Sequence, residues 1–293
     1  MTPRPKFPLG CLALALCLAA PLSAQEGLGY EDTPIIPGTP WHVHDGNRPQ
    51  PPVVTPGAAF SLLAPPPSDA VVLFDGHDLS QWEAATPAID PKTRKPFPGA
   101  VAGGAPRWKV SDGILEVVPF AGDIRTKQRF ADFQLHLEFA EPTVITGKGQ
   151  YRGNSGVLFN GMYEVQILDS YQVPTYPDGQ AGALYGQTPP LVNACKPPGV
   201  WQSYDIIFES PRWDSAGVLV KKAAVTVIQN GVVVQNRREY FGSTDGINGL
   251  PHKALGAYLK PHPPEVVLEL QEHRNPVRFR NIWIRTLGTY DRE

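Results

Sequence analysis

The sequence predicts an all-β fold of two packed antiparallel sheets, a sandwich or jelly roll, on three observations. Short runs of β-branched and aromatic residues recur from Ala70 onward, punctuated by turn residues. No window of comparable length carries a helical period with capping residues. No internal repeat of the kind that marks a propeller or solenoid is present.

The elements follow in order. Val71-Val72-Leu73-Phe74 is an apolar run stopped by Asp75-Gly76. Trp108-Lys109-Val110 and Ile114-Leu115-Glu116-Val117-Val118 flank Ser111-Asp112-Gly113, a hairpin signal. Residues 133 to 139 alternate strictly: Phe133, Leu135, Leu137 and Phe139 fall on one face, and Gln134, His136 and Glu138 on the other. Ala223 to Gln229 and Val232 to Gln235 surround a second tight turn at Asn230-Gly231, and Val266 to Gln271 and Val277 to Arg285 close the fold.

The region before Ala70 has a different texture. Arg4 and Lys6 precede an apolar run from Leu9 to Leu22, and small residues Ser23-Ala24 end it. That is the pattern of a secretory signal peptide over residues 1–24, too short for a membrane-spanning helix, so the protein is expected in the periplasm or secreted. Residues 25–68 are rich in proline, which lacks a backbone donor and cannot sustain a helix or central strand. They read as an arm or linker, with Trp41, His42 and His44 able to pack it onto a domain spanning 69–288.

Of three cysteines, Cys11 and Cys17 leave with the signal, so Cys195 has no internal partner and reads as structural. A net charge of −2 without a basic run argues against nucleic acid.

The chemistry concentrates on one hairpin. Asn160-Gly161 separates Val157-Leu158-Phe159 from Met162-Tyr163-Glu164-Val165-Gln166-Ile167. A two-residue turn sets Val157 opposite Glu164 and Ser155 opposite Gln166. Parity then puts Tyr163, Val165 and Ile167 in the core, and Glu164 and Gln166 side by side on the other face. Asp169 joins that face only through a bulge or a strand end, because a buried unpaired carboxylate is costly. Glu-x-Gln-x-x-Asp resembles the Glu-x-Asp-x-x-Glu strand motif of laminarinase-like glycosidases, with Gln166 replacing the middle acid. Arg152, Asn154 and the loop containing His273 lie near the same strand ends, and His273 has a pKa range suited to proton transfer.

Several further segments occur in a characteristic order: Leu73-Phe74-Asp75-Gly76-His77-Asp78-Leu79-Ser80-Gln81-Trp82, Trp108-Lys109-Val110-Ser111-Asp112-Gly113, Asn154-Ser155-Gly156, residues 163–169, Gly182-Ala183-Leu184-Tyr185-Gly186 and Phe279-Arg280-Asn281-Ile282. Together they resemble the 3-keto-disaccharide hydrolase domain family. The resemblance implies a concanavalin A-like jelly-roll sandwich and action on 3-keto sugars. A ketone at carbon 3 acidifies the carbon-2 proton, so a base can form an enolate and expel the carbon-1 substituent, after which water adds. Such a site needs a base, an enolate stabiliser and an acid for the leaving oxygen. The candidates for proton transfer are Glu164, Asp169 and His273. Arg152 stabilises the enolate oxygen, Gln166 and Asn154 orient hydroxyls, and Tyr185, Lys196 and Trp201 supply a sugar-binding rim. A divalent cation held by Glu164, Asp169 and His273 is an alternative stabiliser. A non-catalytic glycan-binding module and an ordinary glycosidase using Glu164 and Asp169 are the competing functions. Relatives often carry Asp-His-Gly where this chain has Glu272-His273-Arg274, so Arg274 is expected to narrow the site or change its substrate.

Overall fold

The computed structural model describes residues 28–58, 60–244 and 253–288; the predicted signal segment lies outside them. In chain order the strands are β1 Val71–Phe74, β2 Trp82–Ala84, β3 Lys109–Ser111, β4 Ile114–Glu116, β5 Ile124–Thr126, β6 Phe133–Ala140, β7 Ser155–Phe159 and β8 Tyr163–Ile167. Then come β9 Gln202–Glu209, β10 Arg212–Trp213, β11 Leu219–Lys221, β12 Ala224–Gln229, β13 Val232–Glu239, β14 Leu268–Leu270 and β15 Arg278–Thr286. One sheet runs β13-β12-β9-β6-β15-β4-β3, with β1 also paired to β15, and the other runs β2-β5-β14-β7-β8. Every pairing between these strands is antiparallel. The result is a jelly-roll sandwich. Among the described residues no helix is long and apolar enough to cross a membrane.

The inner faces meet in one core. Phe133 and Phe208 from the larger sheet meet Phe159 from the smaller one, with ring centroids 5.4 and 4.3 Å from it. Each such ring, fully buried, stabilises the sandwich by roughly 1.5–3 kcal/mol. Asp112-Gly113 and Asn230-Gly231 have positive φ at both positions, and Ser111 pairs with Ile114 and Gln229 with Val232. Both are the two-residue hairpins their sequences predict.

The third hairpin departs from the predicted register. Asn160 and Gly161 do adopt positive φ, and Met162 N–H donates to the Phe159 carbonyl at 3.1 Å. Pairing then resumes at Phe159 opposite Tyr163, so Met162 is an extra residue in the turn and its carbonyl accepts from Thr244 N–H. Val157 therefore faces Val165, and Gly156 faces Gln166. The reason is the core: directly opposed residues share a face, and the predicted register would have opposed Val157 to Glu164. The extra residue brings Phe159 and Tyr163 onto the same buried face.

The proline-rich segment is an ordered wrap. Val54 N–H donates to the Asn193 carbonyl, Asn193 N–H to the Pro52 carbonyl, and Gln50 Nε2 to the Thr175 carbonyl, each at 2.9 Å. Prolines lose their donor but keep their acceptor, and the wrap uses that. Further along, Ser61 Oγ donates to Asp205 Oδ2 at 2.8 Å and Leu63 N–H to Glu138 Oε1 at 2.5 Å. This covers the outward face of β6, so the predicted polar face carries a fully buried His136 and Glu138.

His136 stands between two carboxylates, with Nδ1 2.7 Å from Asp205 and Nε2 3.7 Å from Glu138. Burial lowers its pKa, but the hydrogen bonds to Asp205 and Glu138 outweigh that and raise it. Burial likewise raises Glu138, and is outweighed by hydrogen bonds from His136, Asn281, the Leu63 amide and Arg280, which bring it to about 2. The His136 contribution is complete below the unfolded histidine pKa of about 6.5 and is lost as pH rises through the folded value. The Glu138 contribution is complete above about 4.3 and is lost as pH falls towards 2. The melting temperature is thus expected to fall as pH rises from about 6.5, and His136→Asn to flatten that decline. Equal pH slopes for the two proteins in thermal unfolding would remove His136 as the cause.

Candidate active site

The outer face of the five-stranded sheet is polar in registered rows. Glu83, Arg125, Glu269, Leu158 and Glu164 oppose one another across β2, β5, β14, β7 and β8. One step along, Gly156 opposes Gln166, and Gln271 N–H donates to the Gly156 carbonyl at 3.1 Å. A β-carbon on Gly156 would lie 2.6 Å from Glu164 Oε1, so any larger residue there would displace that carboxylate from its place on the sheet. Beyond the strands, Ser155 Oγ binds the Gln271 carbonyl at 2.8 Å and Asn275 Oδ1 accepts from Gly153 N–H at 2.6 Å. These bonds draw the His273 loop beside residues 152–155.

A cleft of about 730 Å³ opens at this end of the sheet. Its walls include Gln150, Arg152, Asn154 and His273, the aromatic pair Tyr176 and Tyr185, and Leu28-Gly29-Tyr30 from the arm. The volume falls within the range of small-molecule sites, roughly 300–1,000 Å³. Asn154 is buried and its Nδ2 donates to the Gln150 carbonyl at 2.7 Å, while its Oδ1 has no hydrogen-bond partner among the described residues. A buried acceptor left open in a cleft wall suits a ligand hydroxyl. The Tyr176 and Tyr185 hydroxyls bond each other at 2.8 Å.

Of the two sequence alternatives for Asp169, a bulge or a strand end, the strand end is the one found, one residue earlier than expected. β8 ends at Ile167, and the chain turns so that Asp169 N–H donates to the Arg152 carbonyl at 3.2 Å while its carboxylate takes the Arg152 Nε–H. The same carboxylate accepts from Tyr171 N–H at 3.2 Å. Asp169 is buried, and of the pair it is Arg152 that lines the cleft. Gly153, at φ +57°, makes this possible: a β-carbon there would lie 3.0 Å from Glu141 and 3.1 Å from Asp169. Burial pushes the Glu141 carboxyl up to about 8, so it is largely protonated at neutral pH and adds little negative charge beside Asp169.

Of the sequence candidates, Arg152, Asn154, Tyr185 and His273 therefore share the cleft. Gln166 sits one layer back, its Nε2 bound to Gln150 Oε1 at 3.0 Å. Glu164 is buried on the sheet and does not line the cleft. Lys196 donates instead to the Ala58 carbonyl of the arm at 3.2 Å, and Trp201 lies under the Arg280 guanidinium at 4.1 Å. Both belong to the wrap and the larger sheet, because the chain between Tyr185 and β9 leaves the cleft. Arg274, expected to narrow the site, is turned onto the Phe120 ring at 5.3 Å. Cys195 is buried, and burial pushes its thiol up to about 12, consistent with a structural residue.

Burial lowers the pKa of His273, favouring a neutral imidazole able to accept a proton near pH 7. Two acids that the sequence reading passed over lie on the same sheet face. Burial raises Asp123 to about 6, and burial together with the Asp123 charge raises Glu269 to about 7. Parity held the signal: Glu269 and Gln271 alternate with the inward Leu268 and Leu270. The set Glu164, Asp169 and His273 does not suit a divalent cation. No three His, Cys, Asp or Glu side chains converge as a metal site among the described residues, and the Asp169 carboxylate already holds the Arg152 cation.

Residues 69–285 match the family described as the 3-keto-alpha-glucoside-1,2-lyase-like domain. A crystal structure from Parabacteroides distasonis, described as a "putative glycosyl hydrolase", is 47% identical over 82% of this chain and 93% of its own, with a TM-score of 0.65. A second structure of that description from the same organism is 18% identical over 75% of this chain and 94% of its own, at a TM-score of 0.50, and shows the fold alone. No curated protein matches the chain. The family's segments span the whole sandwich, and the chain belongs to the 3-keto-alpha-glucoside-1,2-lyase-like family.

Proposed function

We propose that this protein cleaves 3-keto-glycosides by removing the carbon-2 proton and eliminating the carbon-1 substituent, followed by addition of water. Family membership supports the coarser statement, a carbohydrate-active enzyme of glycoside-cleaving type. The observation that carries the finer reading is the meeting of His273, Arg152 and Asn154 in one cleft. Together they offer a base near its neutral form, a fixed cation and an open hydroxyl acceptor.

In this reading His273 takes the carbon-2 proton. The electron pair passes to the carbon-3 oxygen, where Arg152 stabilises the enolate. Collapse of the enolate forms a carbon-1–carbon-2 double bond and expels the aglycone, which leaves with the bonding pair and takes up the proton that His273 removed, so the imidazole returns to its neutral form. Water then gives hydroxide to carbon 1 and a proton to carbon 2, restoring a 3-keto sugar. Asp169 acts through Arg152, and Asn154 orients a ring hydroxyl. The basic start and apolar run of residues 1–24 support export.

The test compares a 3-keto-glucoside with its unoxidised parent. The keto sugar alone should turn over, because only the ketone acidifies the carbon-2 proton. Equal turnover of the parent would point to an ordinary glycosidase, and binding without turnover of either to a glycan-binding module.

A further inference from the structure

The arm contributes to the cleft through a deeply anchored segment. His44, at 0% exposure, donates its N–H to Asp178 Oδ2 at 2.8 Å, and its ring Nδ1 lies 3.3 Å from Oδ1 of the same carboxylate. The His44 ring packs between the cleft tyrosines, 4.2 Å from Tyr176 and 4.8 Å from Tyr185. Tyr30 N–H donates to the His44 carbonyl at 2.8 Å, and the Lys253 ammonium lies 3.3 Å above the Tyr30 ring. Gly29 is pressed so closely that a β-carbon would stand 2.1 Å from the His44 carbonyl oxygen. Such ordering of a proline-rich segment costs conformational entropy that a passive linker need not lose.

A second aromatic group lines the cleft from the domain side. Tyr151 ends a single 3₁₀ turn, Gly149–Tyr151, and is 73% exposed. It has no part in the core, so packing does not explain its place. A cleft of about 730 Å³ is large for one pyranose ring, so it leaves room beyond the keto sugar that Arg152, Asn154 and His273 hold in the proposed reaction.

We propose that arm-borne Tyr30 and Tyr151 are specificity-determining residues that form the leaving-group end of the cleft, taking an aromatic or second-sugar aglycone. The inference rests on the keto-glycoside reading. Tyrosine suits this task, since it presents a flat apolar face to a ring and keeps a hydroxyl for its polar edge. His44 and Asp178 are positioning residues, acting through Tyr30 and the Tyr176–Tyr185 pair.

The experiment uses the full chain with 4-nitrophenyl and methyl 3-keto-glucosides. Tyr30→Ala and Tyr151→Ala should each raise the ratio of KM for the nitrophenyl sugar to KM for the methyl sugar at least about fivefold. His44→Ala should move that ratio in the same direction if it folds, and the two tyrosine variants decide the matter if it does not. An unchanged ratio, or equal loss on both sugars, overturns the inference. If wild type turns over neither keto sugar, the catalytic reading fails separately. Calorimetric titration of the unoxidised nitrophenyl and methyl glucosides then decides. The Kd ratio must shift as the KM ratio was expected to, and an unshifted ratio or no binding to wild type overturns the aglycone site.

Discussion

His273→Ala is expected to lower turnover of a 3-keto-glucoside by at least about a hundredfold, the contribution of a positioned general base. A hundredfold loss corresponds to about 2.7 kcal/mol of transition-state stabilisation. The fold should tolerate the change, because His273 lies on a loop and it is the Asn275 side chain that braces Gly153. The pH profile identifies the role. A base works only when neutral, and burial lowers the His273 pKa. The acid limb of kcat/KM should therefore fall below the ordinary histidine value of about 6.5, and it should vanish from whatever activity the variant keeps. An unchanged acid limb in the variant would assign the proton transfer to another group.

Asp169→Asn should have a comparable effect on rate for a different reason. The wild-type carboxylate is almost wholly buried and paired to Arg152. Losing its charge frees the guanidinium to move, and a displacement of even an ångström is costly where charge develops. We expect kcat to fall about a hundredfold with a much smaller change in KM, since Arg152 meets negative charge mainly after the proton has left. Stability should fall as well, because breaking one side of a buried pair costs about 3–5 kcal/mol. The double variant Arg152→Met/Asp169→Leu separates the two effects. It should recover much of the melting temperature and none of the activity. Recovery of both would mean that Arg152 has no part in the chemistry.

The two sheets were legible because their signals are local. Asp112-Gly113 and Asn230-Gly231 each specify a two-residue turn by backbone sterics alone, and the alternation over residues 133–139 needs only a strand with one apolar side. Asn160-Gly161 shows where local reading stops. Asn160 and Gly161 adopt the expected positive φ, yet the loop takes in Met162 as a third residue and the register shifts, because Phe159 and Tyr163 must share the core, a condition set by Phe208 from a different sheet. Asp123 and Glu269 were passed over for a similar reason. Neither carries a motif, and their raised pKa values arise from burial first, with the Glu272 charge adding at Asp123 and the Asp123 charge adding at Glu269.

The sequence by itself determined the all-β class, the alternation of faces along β6 and β8, and the placement of Glu164 and Gln166 on the side away from the core. Each follows from nearest-neighbour sterics or a period of two, which no distant contact alters. Tertiary structure alone decided that Asp169 turns back to hold Arg152, that Lys196 and Trp201 stand apart from the cleft, and that the proline-rich arm supplies one of its walls. The physical reason is the long-range pairing of charges and donors. His44 meets Asp178 across 134 residues and Gly153 meets Asn275 across 122, and no local pattern encodes such partners.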